Sequence, residues 1–195
     1  MANRFLIPTL AAALLTSACS SIGPAPAEIF YRLPPAQVEA GEKKLPGVLL
    51  IDAWRAGDLH GSSNLLHSED TAGISVQPYH YDLWVDRPTK LIADFAQDWL
   101  GKRGVADLVL NEESGMDGAW RLIGEIRRFE QLNGGAPAVV VGLDLRLIDL
   151  NDRDATPRGG YYEATAPIAD DKPLTAIQGY RAALEQVLTR FTEGL

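Results

Sequence analysis

Apolar positions along the chain change their period several times, and each change marks an element. Residues 5–15 form an apolar run broken only by Pro8 and Thr9. Phe30-Tyr31-Arg32-Leu33 reads as a first extended segment, stopped by Pro34-Pro35. Val48-Leu49-Leu50-Ile51 continues to Trp54 between Gly47 and Gly57, which predicts a buried strand. Residues 73–84 carry Ile74, Val76, Tyr79, Tyr81 and Trp84 and predict two short strands separated near Pro78. Between Arg87 and Gly104 the step lengthens. Leu91, Ile92, Phe95, Trp99 and Leu100 recur three and four apart, so they line one face of a helix. Pro88 suits its first turn, Lys102-Arg103 complement the dipole at its last, and Gly104 stops it.

Strands return from Val105 onward. Trp120, Leu122 and Ile126 alternate up to a turn at Leu132-Asn133-Gly134-Gly135. Val141, Leu143, Leu145 and Leu147 then alternate with Gly142, Asp144 and Arg146, giving one dry and one wet face. After a polar loop at 151–160, residues 161–166 read as a further strand. A second helix is predicted over 173–192, with the stripe Leu174, Ile177, Tyr180, Leu184, Val187 or Leu188, and Phe191, and with Asp170-Asp171 before its N-terminus. The expected architecture is α+β: a single domain with a mostly antiparallel sheet and two amphipathic helices packed on one face.

The first apolar run has a different character. It follows Arg4, is too short to span a bilayer, which takes about 20 residues, and ends in Thr16-Ser17-Ala18 before Cys19. That is the layout of an export signal. Leu15-Thr16-Ser17-Ala18-Cys19 resembles a lipobox, with Thr16 where leucine is usual. The expectation is cleavage between Ala18 and Cys19 and acylation of Cys19, the one cysteine of the chain. Ser20, with no aspartate beside it, favours the outer membrane by the sorting rule of many Gram-negative lipoproteins. Residues 1–18 are thus read as a lipoprotein signal peptide, 19–28 as a lipidated N-terminus and tether, and 29–195 as the folded domain.

Charge narrows the partners. The chain has a formal net charge of −8, and losing residues 1–18 removes only the positive charge of Arg4. An acidic domain argues against nucleic acid and against a polybasic membrane patch. Candidate chemistry is sparse. His60 and His67 lie in a polar stretch, and with Glu69 and Asp70 they could be drawn as a zinc site, but the spacing matches no recognised motif. Surface residues on a loop or hairpin are the plainer reading, and His80 reads as half-exposed sheet surface. Gly61-Ser62-Ser63 is not a nucleophile elbow. Asn133-Gly134-Gly135 and Arg158-Gly159-Gly160 are turn chemistry. Glu112-Glu113 and Asp170-Asp171 are adjacent acids that read as solvated loop residues before a glycosidase pair. Trp54, Trp84, Trp99 and Trp120 read as core or interface anchors. No catalytic residue, cofactor or metal is expected.

The order of landmarks in residues 29–192 resembles the auxiliary lipoprotein component of ABC-type transport systems, a family that includes the PqiC-type lipoproteins. The landmarks are Tyr31-Arg32-Leu33 soon after Cys19, the strand at 48–51, and the stretch 74–84 leading into the Pro88 helix that ends at Gly104. Leu122-Ile123-Gly124-Glu125-Ile126 before Phe129 and a closing helix with Ala182-Ala183-Leu184 complete them. The resemblance implies a non-enzymatic accessory of an intermembrane lipid-transport system. Its partners would be a periplasmic MCE-domain protein and an inner-membrane permease and ATPase, with a homo-oligomeric ring in some relatives. A lipopolysaccharide-assembly lipoprotein of the LptE type is the alternative, and a lipid-anchored hydrolase using His60 and His67 is a third reading.

Overall fold

A computed structural model describes residues 26–70, 72–152 and 154–195. The expected signal peptide, the expected cleavage position at Ala18 and Cys19, and most of the expected tether therefore lie outside the described residues.

The elements, in order, are β1 (Ile29–Tyr31), β2 (Leu45–Ile51), β3 (Arg55–Ala56), β4 (Asn64–Ser68), β5 (Gln77–Trp84), α1 (Pro88–Arg103), β6 (Ala106–Asn111), a 3-10 turn (Glu112–Ser114), β7 (Trp120–Leu132), β8 (Ala138–Asp149), β9 (Arg158–Pro167) and α2 (Pro173–Glu193). Both helices stand where the sequence period places them. Pro88 and Pro173 occupy their first turns, and α1 stops at Gly104, whose φ of 73° is left-handed and free of cost for glycine.

Strand β7 is the spine. Along one edge it pairs antiparallel with β8 from Trp120↔Asp149 to Leu132↔Ala138, and β8 pairs antiparallel with β9. Its other edge takes three parallel partners in succession: β2 at Leu49↔Trp120, β3 at Arg55↔Glu125 and β4 at His67↔Gln131. Parallel β6 extends the sheet beyond β2, while antiparallel β5 and then parallel β1 extend it beyond β4. Five of the eight pairings are parallel.

This corrects the expected mostly antiparallel sheet to a mixed one. Reading successive strands as hairpins fails where α1 carries the chain from β5 back beside β2, and where residues 52–63 advance along β7 instead of turning. Such connections leave no turn signature, because parallel neighbours are joined by long crossovers. Two smaller corrections follow. Within residues 73–84 there is one strand, Gln77–Trp84, with Ile74 and Val76 in the loop before it, and Pro78 is accommodated beside a register shift between Asn64 and Leu66. Trp54 lies beyond the end of β2.

One core holds the domain. Leu122 and Ile126 of β7 and Leu143, Leu145 and Leu147 of β8 face the helices, meeting Ile92, Phe95, Trp99 and Leu100 of α1 and Tyr180, Leu184, Val187 and Phe191 of α2. α1 packs on β6 and β2, α2 packs on β8 and β9, and the helices touch each other. The approach of α2 depends on Gly179, where a Cβ would stand 2.5 Å from Ile168 Cγ2. A strap at 34–44 crosses both helices: the Ala36 and Gln37 amides donate to Asp98 and Glu185, and Lys102 Nζ donates to the Ala36 carbonyl.

Candidate docking surfaces

The side chains proposed for zinc do not converge. His60, in the β3–β4 loop, turns to Glu130 of β7 with Nε2 3.5 Å from Oε2. His67 lies on β4, its Nδ1 2.9 Å from Glu69 Oε1 and its ring 4.3 Å from that of Tyr79. Asp70 uses its carboxylate inside its own loop, accepting from the amides of Ala72, Ile74 and Ser75 and from the Ser75 hydroxyl. The bonds from Ile74 and Ser75 hold its carboxyl well below the usual carboxylate range. Among the described residues no three His, Cys, Asp or Glu side chains are grouped to hold a metal ion.

The adjacent acids also separate. Asp170 accepts from the Lys172 amide at the start of α2, and hydrogen bonding to Thr175 lowers its carboxyl from the usual value. Glu112 and Glu113 sit exposed on the 3-10 turn, at the mouth of a cleft of about 400 Å³ between α1 and the ends of β2 and β6. The Asp52 carboxylate beside Glu112, accepting a hydrogen bond from its protonated form, raises the Glu112 carboxyl, and Lys90 in the same cleft is bound to Asp94. Trp84 and Trp99 are core residues. Trp54 lies over Gly124, and Trp120 donates from Nε1 to the Pro46 carbonyl while Arg158 stacks 4.8 Å from its ring centroid.

Two features escape the sequence reading. The first is Glu130, only 1 % exposed although it is a carboxylate on the sheet face opposite the helices. It accepts from Arg128 Nε and from the Phe129 amide, both at 2.7 Å, and Arg128 reaches on toward Glu163. These bonds satisfy a charge that burial alone would make very costly. Arg128 and Glu130 flanking Phe129 inside an apolar alternation is the available signal. The second is an apolar patch outside the core, formed by Phe30 of β1 beside Leu83 of β5, with exposed Tyr81 and Val85 close to it in the chain. Its trace in the sequence is that Leu83, Trp84 and Val85 are consecutive apolar residues, so both faces carry one. Among the described elements, β1, β6, β9 and the two-residue β3 each pair on one side only, leaving sheet edges open.

The fold and its surfaces define an α+β scaffold that presents edges, a small cleft and an uncovered apolar face around one continuous core. Residues 31–191 match the sequence profile of the family described as ABC-type transport auxiliary lipoprotein component, and the chain belongs to that family. An auxiliary part in transport implies a non-catalytic role for it. No match was found among curated proteins.

Two solved structures share the fold. A Xanthomonas campestris protein of the DUF330 family superposes with a TM-score of 0.70 at 17 % identity, covering 84 % of this chain and 92 % of its own. An uncharacterised protein gives 0.67 at 12 % identity over 86 % and 98 %. PelC from Paraburkholderia phytofirmans, crystallised as a dodecamer, overlaps more weakly, with a TM-score of 0.44 at 14 % identity over 82 % and 93 %.

Proposed function

We propose that this chain is a non-enzymatic, lipid-anchored accessory of an ABC-type system that moves lipid between membranes. Signal peptidase cuts between Ala18 and Cys19, acyl chains on Cys19 hold the protein to the periplasmic side of the outer membrane, and residues 19–28 tether the domain. Its partner is a periplasmic MCE-domain protein served by an inner-membrane permease and ATPase. Open strand edges suit it to pair with that partner or with further copies of itself in a ring. The observation that carries this reading is the family match over residues 31–191. The lipobox-like Leu15-Thr16-Ser17-Ala18-Cys19 supports the anchor.

The test is a mild-detergent pull-down of the tagged, lipidated protein from its native envelope, with partners identified by mass spectrometry. Recovery of an MCE-domain protein or of its permease and ATPase is the expected result. Recovery of a lipopolysaccharide-translocon barrel instead would overturn it in favour of an LptE-like role. The anchor has its own check: Cys19→Ser should move the protein from the membrane fraction to the soluble fraction.

A further inference from the structure

Ile29↔Asp82, Phe30↔Leu83 and Tyr31↔Trp84 set the register of the outermost strand pair. Tyr31 packs against the core and Trp84 lies within it, so Phe30 and Leu83 point to the other side. Tyr81, two positions before Leu83, is exposed as well, and the Val85 amide bonds the Tyr31 carbonyl, carrying the row one position further. Phe30 is 57 % exposed, Tyr81 40 % and Val85 36 %. Leu83 between them is half-buried. Around it the exposed or half-exposed charges are Glu28, Asp82 and Asp86 against Arg32 and Arg87, nearly balanced on a strongly acidic chain.

Position in the chain says what meets this face. β1 is the first described element, and Ile29 lies ten residue steps after Cys19. Fully extended, they span at most about 35 Å, less than the diameter of about 40 Å expected for a domain of this size. The end of the molecule that carries β1 must therefore stay near whatever holds Cys19. Phenylalanine and tyrosine are side chains that settle at the headgroup boundary of a bilayer.

We propose that the Phe30–Leu83–Tyr81–Val85 face rests on the lipid surface to which Cys19 is anchored, so that the domain is held in one orientation with β6 and α1 free for partners. The occupant is the bilayer interface, engaged by apolar contact instead of by basic residues. This rests on the anchor reading of Cys19.

The experiment uses the full-length lipidated protein. An acylated Cys19 leaves no free thiol, so wild type should take up no thiol-reactive dye, and Phe30→Cys, Tyr81→Cys, Val85→Cys and Leu108→Cys each acquire a single labelled site. The variants are placed in phosphatidylcholine vesicles containing nitroxide-labelled lipid. Residues seated about 5–10 Å into the headgroup boundary come within reach of the quencher. Quenching at positions 30, 81 and 85 should then be roughly threefold stronger than at Leu108, on the opposite edge of the sheet. Vesicle-bound protein with equal quenching at all four positions would overturn the resting face while leaving the anchor intact. Dye contact between copies at position 30, without lipid quenching, would assign the face to a second copy and overturn it as well. Wild type that takes up dye and fails to float with vesicles would sink the anchor reading and this inference with it. Val85→Cys keeps the test open if either aromatic variant does not fold.

Discussion

On one side of β7 the strands follow one another in sequence, and β8 and β9 pair antiparallel at twelve and ten registered positions. On the other side β2, β3 and β4 share the edge in parallel stretches of three, two and two positions, reached from distant parts of the chain. The first side is a long ladder, with one bulge between Ile126 and Arg128, covered by α2. The second collects the surface features: the cleft beside α1, the loops carrying His60 and Asp70, and the apolar patch of β1 and β5. Interrupted pairing leaves gaps that loops fill, and loops on a rigid scaffold are where binding groups gather. The difference teaches a division of labour, with stability concentrated in the β7–β9 ladder and recognition on the stepped side.

The two sides meet at Trp84 of β5, Phe129 of β7 and Tyr180 of α2, with ring centroids 5.3, 5.1 and 4.4 Å apart. All three are almost fully buried. Phe129→Ala should therefore lower unfolding stability by about 3–5 kcal/mol, measured by denaturant titration. A single cooperative transition is expected before and after. A variant that unfolds in two steps would break the comparison, because the sides would then be separate units.

A second joint lies where Trp54 covers Gly124, whose added Cβ would come 2.3 Å from the indole. Gly124→Ala should cost about 1–3 kcal/mol by overpacking. Most of that cost should disappear in a Trp54→Ala background, since contacting residues couple. An additive double mutant would show that the cost arises from something other than the indole.

Legibility divides along the same line. Helix α1 was readable because Leu91, Ile92, Phe95, Trp99 and Leu100 write its buried face at helical spacing, and β8 because Val141 to Leu147 alternate. Both signals are local. The pairing of β2 with β6 was not readable, because Leu49↔Val109 depends on a crossover through α1. Alternation reports which face is dry but not which strand lies beside it. The candidate chemistry divides likewise: His60, His67 and Asp70 are close in sequence, yet each is bound to a different partner. The burial of Glu130 depends on the His60 loop lying over it, which no local pattern announces.

Glu130 sharpens the comparison on its own face. Glu130→Gln weakens the bonds to Arg128 Nε and to the Phe129 amide. A loss of about 1–2 kcal/mol is expected, at the lower end for a buried charged acceptor because Arg128 remains partly solvated. Thermal unfolding at fixed pH measures it, and an unchanged midpoint would mean that the covering loop and not the carboxylate holds this region.

A smaller effect is expected at Asp70. Its carboxyl is lowered in the fold, so the stability it adds is present above the unfolded value near about 3.9 and is lost as pH falls through the lower folded value. The β4–β5 loop should keep its closed form from neutral pH down to about 4 and open only below it. Asp70→Ala should speed amide exchange at Ala72, Ile74 and Ser75 at neutral pH while leaving the global midpoint in place. A shift of the global midpoint would show that this loop is part of the core's cooperative unit.

The smallest stability effect is expected on the apolar patch, and it provides the sharpest contrast. Tyr81→Ser replaces a 40 % exposed ring on β5, whereas Leu143→Ser replaces a fully buried side chain in the β7–β9 ladder. Both exchanges remove apolar bulk from a strand and leave a hydroxyl. At Leu143 the serine would be buried in a tight core, and a loss of several kcal/mol follows from the cavity and the desolvated hydroxyl. At Tyr81 water already reaches the ring, so stability should stay within about 0.5 kcal/mol, while lipid quenching of a dye at position 30 should fall. A ring whose removal leaves the fold unchanged but turns the domain away from its membrane is retained for what it touches outside the molecule. Comparable losses at the two positions would mean that Tyr81 belongs to the core, and the stepped side would then be a second store of stability.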